Sequence, residues 1–91
     1  MSTRIRPLPQ VLLQELPDGD SVLLHMDTEV YFGLDAVGTR MWNALAEKGD
    51  VEAAAAELVD VYDVDGDRLR SDLDDLVARL SAEGLVEVSD E

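Results

Sequence analysis

Residues 30–42, Val-Tyr-Phe-Gly-Leu-Asp-Ala-Val-Gly-Thr-Arg-Met-Trp, change their apolar period from two to three or four within one short stretch. Val30, Phe32 and Leu34 alternate as a half-buried strand does, and Val37, Met41 and Trp42 then recur at helical steps. Asp35 stands at the junction, where its side chain can cap the new helix. A chain built this way sets a strand beside a helix, which excludes all-helical and all-β solutions. If that strand is the last of its sheet, its outer edge keeps unpaired N–H and C=O groups, to which an extended peptide can add.

The segments before it supply the sheet. Residues 11–16 and 21–27 flank Pro17, Asp18, Gly19 and Asp20, a turn signal because proline presets φ and glycine tolerates positive φ. A loop of residues 17–20 places Leu13 opposite Leu24 and Val11 opposite Met26. A three-residue connection at 27–29 then pairs Met26 with Val30, Leu24 with Phe32 and Val22 with Leu34, whereas a two-residue connection sets Met26 against Glu29. Alternation favours the three-residue version. It gives a three-stranded antiparallel meander with Val11, Leu13, Val22, Leu24, Met26, Val30, Phe32 and Leu34 facing inward and residues 29–34 as its edge.

Three helices follow. Asp35 caps residues 36–48, with Val37, Met41, Trp42 and Leu45 on one side and Gly49 as the stop. Asp50 caps residues 51–62, where an alanine run carries Leu58, Val59 and Tyr62. Asp65 caps residues 66–82, with Leu69, Leu73, Leu76, Val77 and Leu80 as its apolar stripe and Gly84 as its stop. Residues 85–88 can add a short strand. The fold class expected is α+β, with residues 1–10 as an extension, 11–88 as one domain and 89–91 frayed.

Composition limits what such a domain can do. A chain of 91 residues buries only about 60 to 65% of the surface its unfolded form exposes, which leaves little room for an enclosed active site. The net charge of −14, from 21 acidic and 7 basic residues, repels phosphate backbones and anionic lipid headgroups, so neither nucleic acid nor membrane is an expected partner. No apolar run reaches the length of a membrane span, and the first residues lack the hydrophobic segment of a secretion signal; the expected location is the cytoplasm. There is no cysteine, which removes thiolate chemistry and cysteine-bound metals.

Candidate chemistry is sparse. His25 is the only histidine and is expected on the outward face of its strand, solvated or packed on Tyr31, without partners for a relay or a metal set. Residues 60–67 carry several aspartates, but setting Gly66 at the glycine position of a calcium loop puts Val61 where a carboxylate is required. The glycines are isolated, so no phosphate loop is present, and no cofactor is expected. The second and third helices could also form a winged helix-turn-helix, but the third offers Arg68, Arg70 and Arg79 against Asp67, Asp72, Asp74 and Asp75, a poor match to phosphates.

Three segments in order, Tyr31-Phe-Gly-Leu-Asp-Ala-Val-Gly-Thr-Arg-Met-Trp42, Tyr62-Asp-Val-Asp65, and Asp72-Leu73 through Leu76 and Leu80 to Gly84-Leu85-Val86, resemble the PqqD family of small peptide chaperones, also called RiPP recognition elements. The similarity spans about residues 11–88. It implies a winged-helix-like fold with an N-terminal three-stranded sheet and three helices. It also implies a non-enzymatic function: binding the leader peptide of a ribosomally made precursor and presenting it to a modifying enzyme or leader peptidase acting in trans. Carried onto these residues, the leader adds a strand along Glu29, Val30, Tyr31, Phe32, Gly33 and Leu34 and lies against Leu69, Asp72, Leu73 and Leu76. Residues 47–50, Glu-Lys-Gly-Asp, stand where members of the quinone pathway often carry Cys-Asp-Gly, which favours a lasso-type pathway. The alternatives are a winged-helix DNA-binding or protein-interaction module, and a subunit whose active site lies on its partner.

Overall fold

The computed structural model describes residues 3–61 and 65–90. Within them the order is β1 (Thr3–Pro7), β2 (Val11–Glu15), β3 (Ser21–His25), β4 (Tyr31–Leu34), α1 (Ala36–Lys48), α2 (Val51–Val61), α3 (Gly66–Ala82) and β5 (Val86–Asp90). Strands β2, β3 and β4 form the expected antiparallel meander, and three helices follow it.

The helix boundaries follow local chemistry. Asp35 Oδ1 accepts from the Gly38 amide at 2.7 Å, and Gly49 closes α1 at φ 67° with its N–H on the Leu45 carbonyl. Asp50 Oδ1 accepts from Ala53 N at 3.0 Å at the head of α2. Asp65 Oδ1 accepts from Asp67 N at 3.0 Å at the head of α3. Each carboxylate satisfies one amide that the first helical turn leaves without a partner. Leu69, Leu73, Leu76, Val77 and Leu80 of α3 are all buried, as their spacing requires. Val37 and Val59, expected on packing faces, are exposed, and Tyr62 lies outside the described residues.

The register of β3 differs from the one that alternation favours. Val11 faces His25 and Leu13 faces Leu23, not Met26 and Leu24. On the other side Ser21 pairs with Leu34, Leu23 with Phe32 and Leu24 with Tyr31. This is the register that sets Met26 against Glu29, which the sequence argument passed over. As a result Ser21, Leu23 and His25 are the buried residues of β3, Val22 and Leu24 are half-buried, and Met26 is 58% exposed.

Hydrogen bonding explains why polar residues win the inner positions. His25, expected to face outward, is 7% exposed, and its Nδ1 accepts from the backbone amides of Asp27 and Thr28, both at 3.2 Å. The same turn is closed by Glu29, at φ 61°, whose N–H donates to the His25 carbonyl at 2.8 Å. Ser21 is buried because its Oγ lies 2.7 Å from Thr39 Oγ1 of α1. A buried polar group that is paired costs little, whereas stranding the two part-buried turn amides would cost about 1–3 kcal/mol together. The first hairpin accommodates the shift with five residues outside the strands, closed by Leu16 N–H on the Asp20 carbonyl at 2.8 Å.

The segment before residue 11 is also structural. β1 pairs antiparallel with β5, with Ile5 opposite Val88 and Pro7 opposite Val86. Ile5 is 3% exposed and joins the core, and its N–H donates to the Gly49 carbonyl at 3.1 Å. Ser89 and Asp90, expected to fray, extend β5; Glu91 lies outside the described residues. Around Ile5 the core continues through Trp42, Leu45, Val51, Leu73, Leu80 and Leu85, all buried. No helix among the described residues is long and apolar enough to cross a membrane.

Two stability measurements check this packing. Ile5→Ala is expected to cost about 2–4 kcal/mol in denaturant unfolding, as truncation of a buried aliphatic side chain does, while Arg4→Ala stays within about 0.5 kcal/mol. His25→Ala should cost about 1–3 kcal/mol by leaving two turn amides unpaired, and Met26→Ala should be nearly neutral. The reverse ranking of the second pair would restore the register in which Met26 faces inward.

A candidate peptide-docking groove

β4 has β3 on one side and no strand on the other. His25 N–H donates to the Val30 carbonyl at 3.0 Å, so by antiparallel alternation Leu23 and Phe32, then Ser21 and Leu34, are the mutually bonded pairs. The N–H and C=O groups of Tyr31 and Gly33 therefore point away from β3. The free edge is short: two residues carry its outward groups, and the left-handed turn at Glu29 and the helix cap at Asp35 bound it.

Beside this edge lies a groove of about 330 Å³. Phe32, Gly33 and Leu34 form its β4 side, Asp35, Val37, Gly38 and Met41 its end, and Asp72, Asp75, Leu76 and Arg79 its α3 wall. Gly38 brings α1 close to β4: a Cβ there would sit 3.3 Å from Leu34 Cδ2 and 3.2 Å from Asp35 Oδ1. Larger residues at that position would push the helix away from the strand. A second cleft, of about 510 Å³, lies between the first hairpin and the α1–α2 pair and is lined in part by Glu15 of β2, Leu16, Arg40, Glu47 and Val61.

The residues named from the sequence divide. Phe32, Gly33, Leu34, Asp72 and Leu76 meet in the groove. Leu69 and Leu73 do not: at 4% and 0% exposure they belong to the core. Tyr31 is 71% exposed and alternates to the opposite side of the sheet from Phe32. Val30 is half-buried just before the strand, and Glu29 is exposed in the turn. Sequence reasoning did not assign Asp35, Val37, Gly38, Met41, Asp75 or Arg79 to the peptide site. The signal was present for α3, since 72, 75, 76 and 79 share one helical face, and for α1, where 37 and 41 do.

Charge on the wall is uncommitted. Among the described residues Asp72, Asp75 and Arg79 have no side-chain hydrogen bond or ion pair. Arg70, one turn away on another face, is taken: it bonds Glu52 and Asp74, the latter at 3.0 Å, and these two carboxylates raise its pKa above the ordinary value. That leaves α3 with an acidic exterior and one fewer free guanidinium, a poor surface for DNA. No group of three or more histidines or carboxylates among the described residues could hold a metal ion. The histidine that sequence reasoning left in solvent is held in the turn and does not line the groove.

Comparisons with known proteins agree with this geometry. The structure described as "TbiB1 in Complex with the TbiA(beta) Leader Peptide" superposes with a TM-score of 0.82 at 34% identity, covering 94% of this chain and 99% of that one. A second, "Lasso peptide synthetase B1 complexed with the leader peptide", superposes with a TM-score of 0.79 over 92% of this chain and 98% of that one; at 21% identity the likeness is one of fold. Among curated proteins none matches the sequence significantly. Residues 20–86 match the model of the family described as coenzyme PQQ synthesis protein D (PqqD), and the chain belongs to that family.

Proposed function

We propose that this protein binds the leader peptide of a ribosomally made precursor, of the lasso type, by adding it as a strand to β4. The observation that carries the reading is the free edge at Tyr31 and Gly33 running beside the groove under α3. Main-chain pairing to four outward groups gives affinity that tolerates sequence, and the groove selects every second side chain of the guest. The similarity to TbiB1, solved with a leader peptide, supports it. The lasso-type assignment draws on Glu47-Lys-Gly-Asp50, which stands where members of the quinone pathway often carry Cys-Asp-Gly. The role is one of binding and not catalysis, carried out in the cytoplasm where ribosomal peptides emerge. Glu29 and Val30 bound the docking strand, and Leu69 and Leu73 support the wall from behind.

Delivery to a modifying enzyme or leader peptidase in trans needs a second surface, and the outer face of the meander supplies one. Leu12, Leu24 and Tyr31 form one row across the three strands. Leu12 is 52% exposed, Tyr31 71%, and Met26 beside them 58%. Such an apolar patch on so acidic a protein marks a contact site. A leader added at β4 continues the row, so an enzyme seated there touches carrier and guest together.

Two experiments test these roles. Calorimetric titration with the leader of the precursor encoded nearest this gene should show saturable 1:1 binding, and hydrogen exchange should slow at the Tyr31 and Gly33 amides while Phe32, already bonded to β3, changes little. Tyr31→Pro, which removes an edge donor without breaking the ladder to β3, should weaken binding at least tenfold; unchanged binding by a folded variant would sink strand addition at this edge. For the enzyme surface, Leu12→Lys with Met26→Lys should leave leader affinity intact and slow processing by the co-encoded enzymes about tenfold or more. Normal processing would move the docking site elsewhere.

A further inference from the structure

The groove wall carries a charge order that a guest must match. Asp72, Asp75, Leu76 and Arg79 lie on one face of α3, and at 1.5 Å per residue the seven steps from Asp72 to Arg79 span about 10 Å. Along the axis Asp72 and Arg79 stand at the two ends of this face, with Asp75 and Leu76 between them, and Phe32 and Met41 line the same groove. An added strand rises about 3.3 Å per residue and turns alternate side chains inward, so its groove-facing residues recur every ~6.6 Å and three of them span ~13 Å. Laid along α3, three consecutive inward side chains match the length of this wall.

We infer that this protein selects peptides of the pattern basic-x-apolar-x-acidic, the basic side chain seated at Asp72 and Asp75, the apolar one over Leu76, and the acidic one at Arg79. This rests on the leader-binding reading and specifies the substrate class of the same groove. Three features support it. The wall charges are unpaired among the described residues although Asp75 and Arg79, four apart on a helix, could pair with each other. The neighbouring Arg70 is consumed by Glu52 and Asp74, so Arg79 is the basic group the α3 wall presents to a guest. The net charge of −14 adds a field that draws the basic end of a peptide inward. Backbone pairing alone does not specify which residues the guest carries; the wall does.

The order of charges also sets orientation. A peptide of the reverse pattern, laid in the same direction, would put like charges together at both ends, and like-charge juxtaposition penalises a wrong partner or a wrong polarity more than a correct ion pair rewards the right one.

The test is selection from a displayed library of randomised twelve-residue peptides on the full chain, on Asp72→Lys/Asp75→Lys and on Arg79→Gln, each of which alters only exposed side chains. Every selected peptide is then titrated against the parent chain and against Tyr31→Pro. The expected result is enrichment of a basic residue two positions from an apolar one, with an acidic residue two positions beyond. Asp72→Lys/Asp75→Lys should exchange the basic preference for an acidic one, and Arg79→Gln should lose the acidic preference. Affinity of parent-selected peptides should fall about three- to fivefold with Arg79→Gln, the size of a partly exposed ion pair, and should weaken with added salt. Binders that depend on the β4 edge but show no charge order, or that keep their preference on the lysine variant, overturn the charge pattern and leave leader binding standing. Binders indifferent to Tyr31→Pro, or a library without any edge-dependent binder, overturn the leader-binding reading as well.

Discussion

The register of β3 against β4, closed by His25, is the constraint on which the rest depends. With Nδ1 of His25 accepting from two turn amides, the turn is held at five residues outside the strands, and the pairing of Leu23 with Phe32 follows. That single parity decides which face of the meander meets the helices and which amides of β4 turn outward. A slip of one residue would carry Met26 and Leu24 inward and would exchange the outward groups of Tyr31 and Gly33 for those of their neighbours. The histidine thus governs the free edge of β4 without lying on it.

The same parity produces the division of surfaces. Inner positions of β3 hold Ser21, Leu23 and His25, two of them polar and each satisfied, the serine through Thr39 of α1. The apolar residues displaced from those positions, Val22, Leu24 and Met26, lie on the other face with Leu12 and Tyr31. A protein of this size therefore has a groove on one side of β4 and an apolar sheet face on the other. β4 borders both.

β1 and β5 frame this arrangement from outside. Their pairing, with Ile5 in the core and Arg6 bonded to Glu87 at the surface, joins the two ends of the chain and fixes the end of α3, whose Leu80 carbonyl accepts from Leu85 N at 3.0 Å. The α3 wall, with Asp72, Asp75 and Arg79, is anchored by elements remote in sequence from the edge it faces.

Local signals determined the helices: three aspartates at the caps, Gly49 and Gly84 at the stops, and the leucine stripe of α3 are interactions within a few residues, and the bounds of α1 and α3 and the start of α2 match. The alternation of Val11 with Leu13 and of Phe32 with Leu34 likewise identified the inward faces of β2 and β4. Tertiary structure alone decided the parity of β3, because Val22, Leu24 and Met26 are as apolar as Leu23 and the balance rests on hydrogen bonds from a turn and from Thr39. It also decided β1, whose partner lies some eighty residues away and whose single buried side chain leaves no periodic trace. For the groove, the sequence located β4 and α3, but which leucines are core and which residues line the opening depends on the rotation of α3 about its axis, and that is set by packing against α2 and β5.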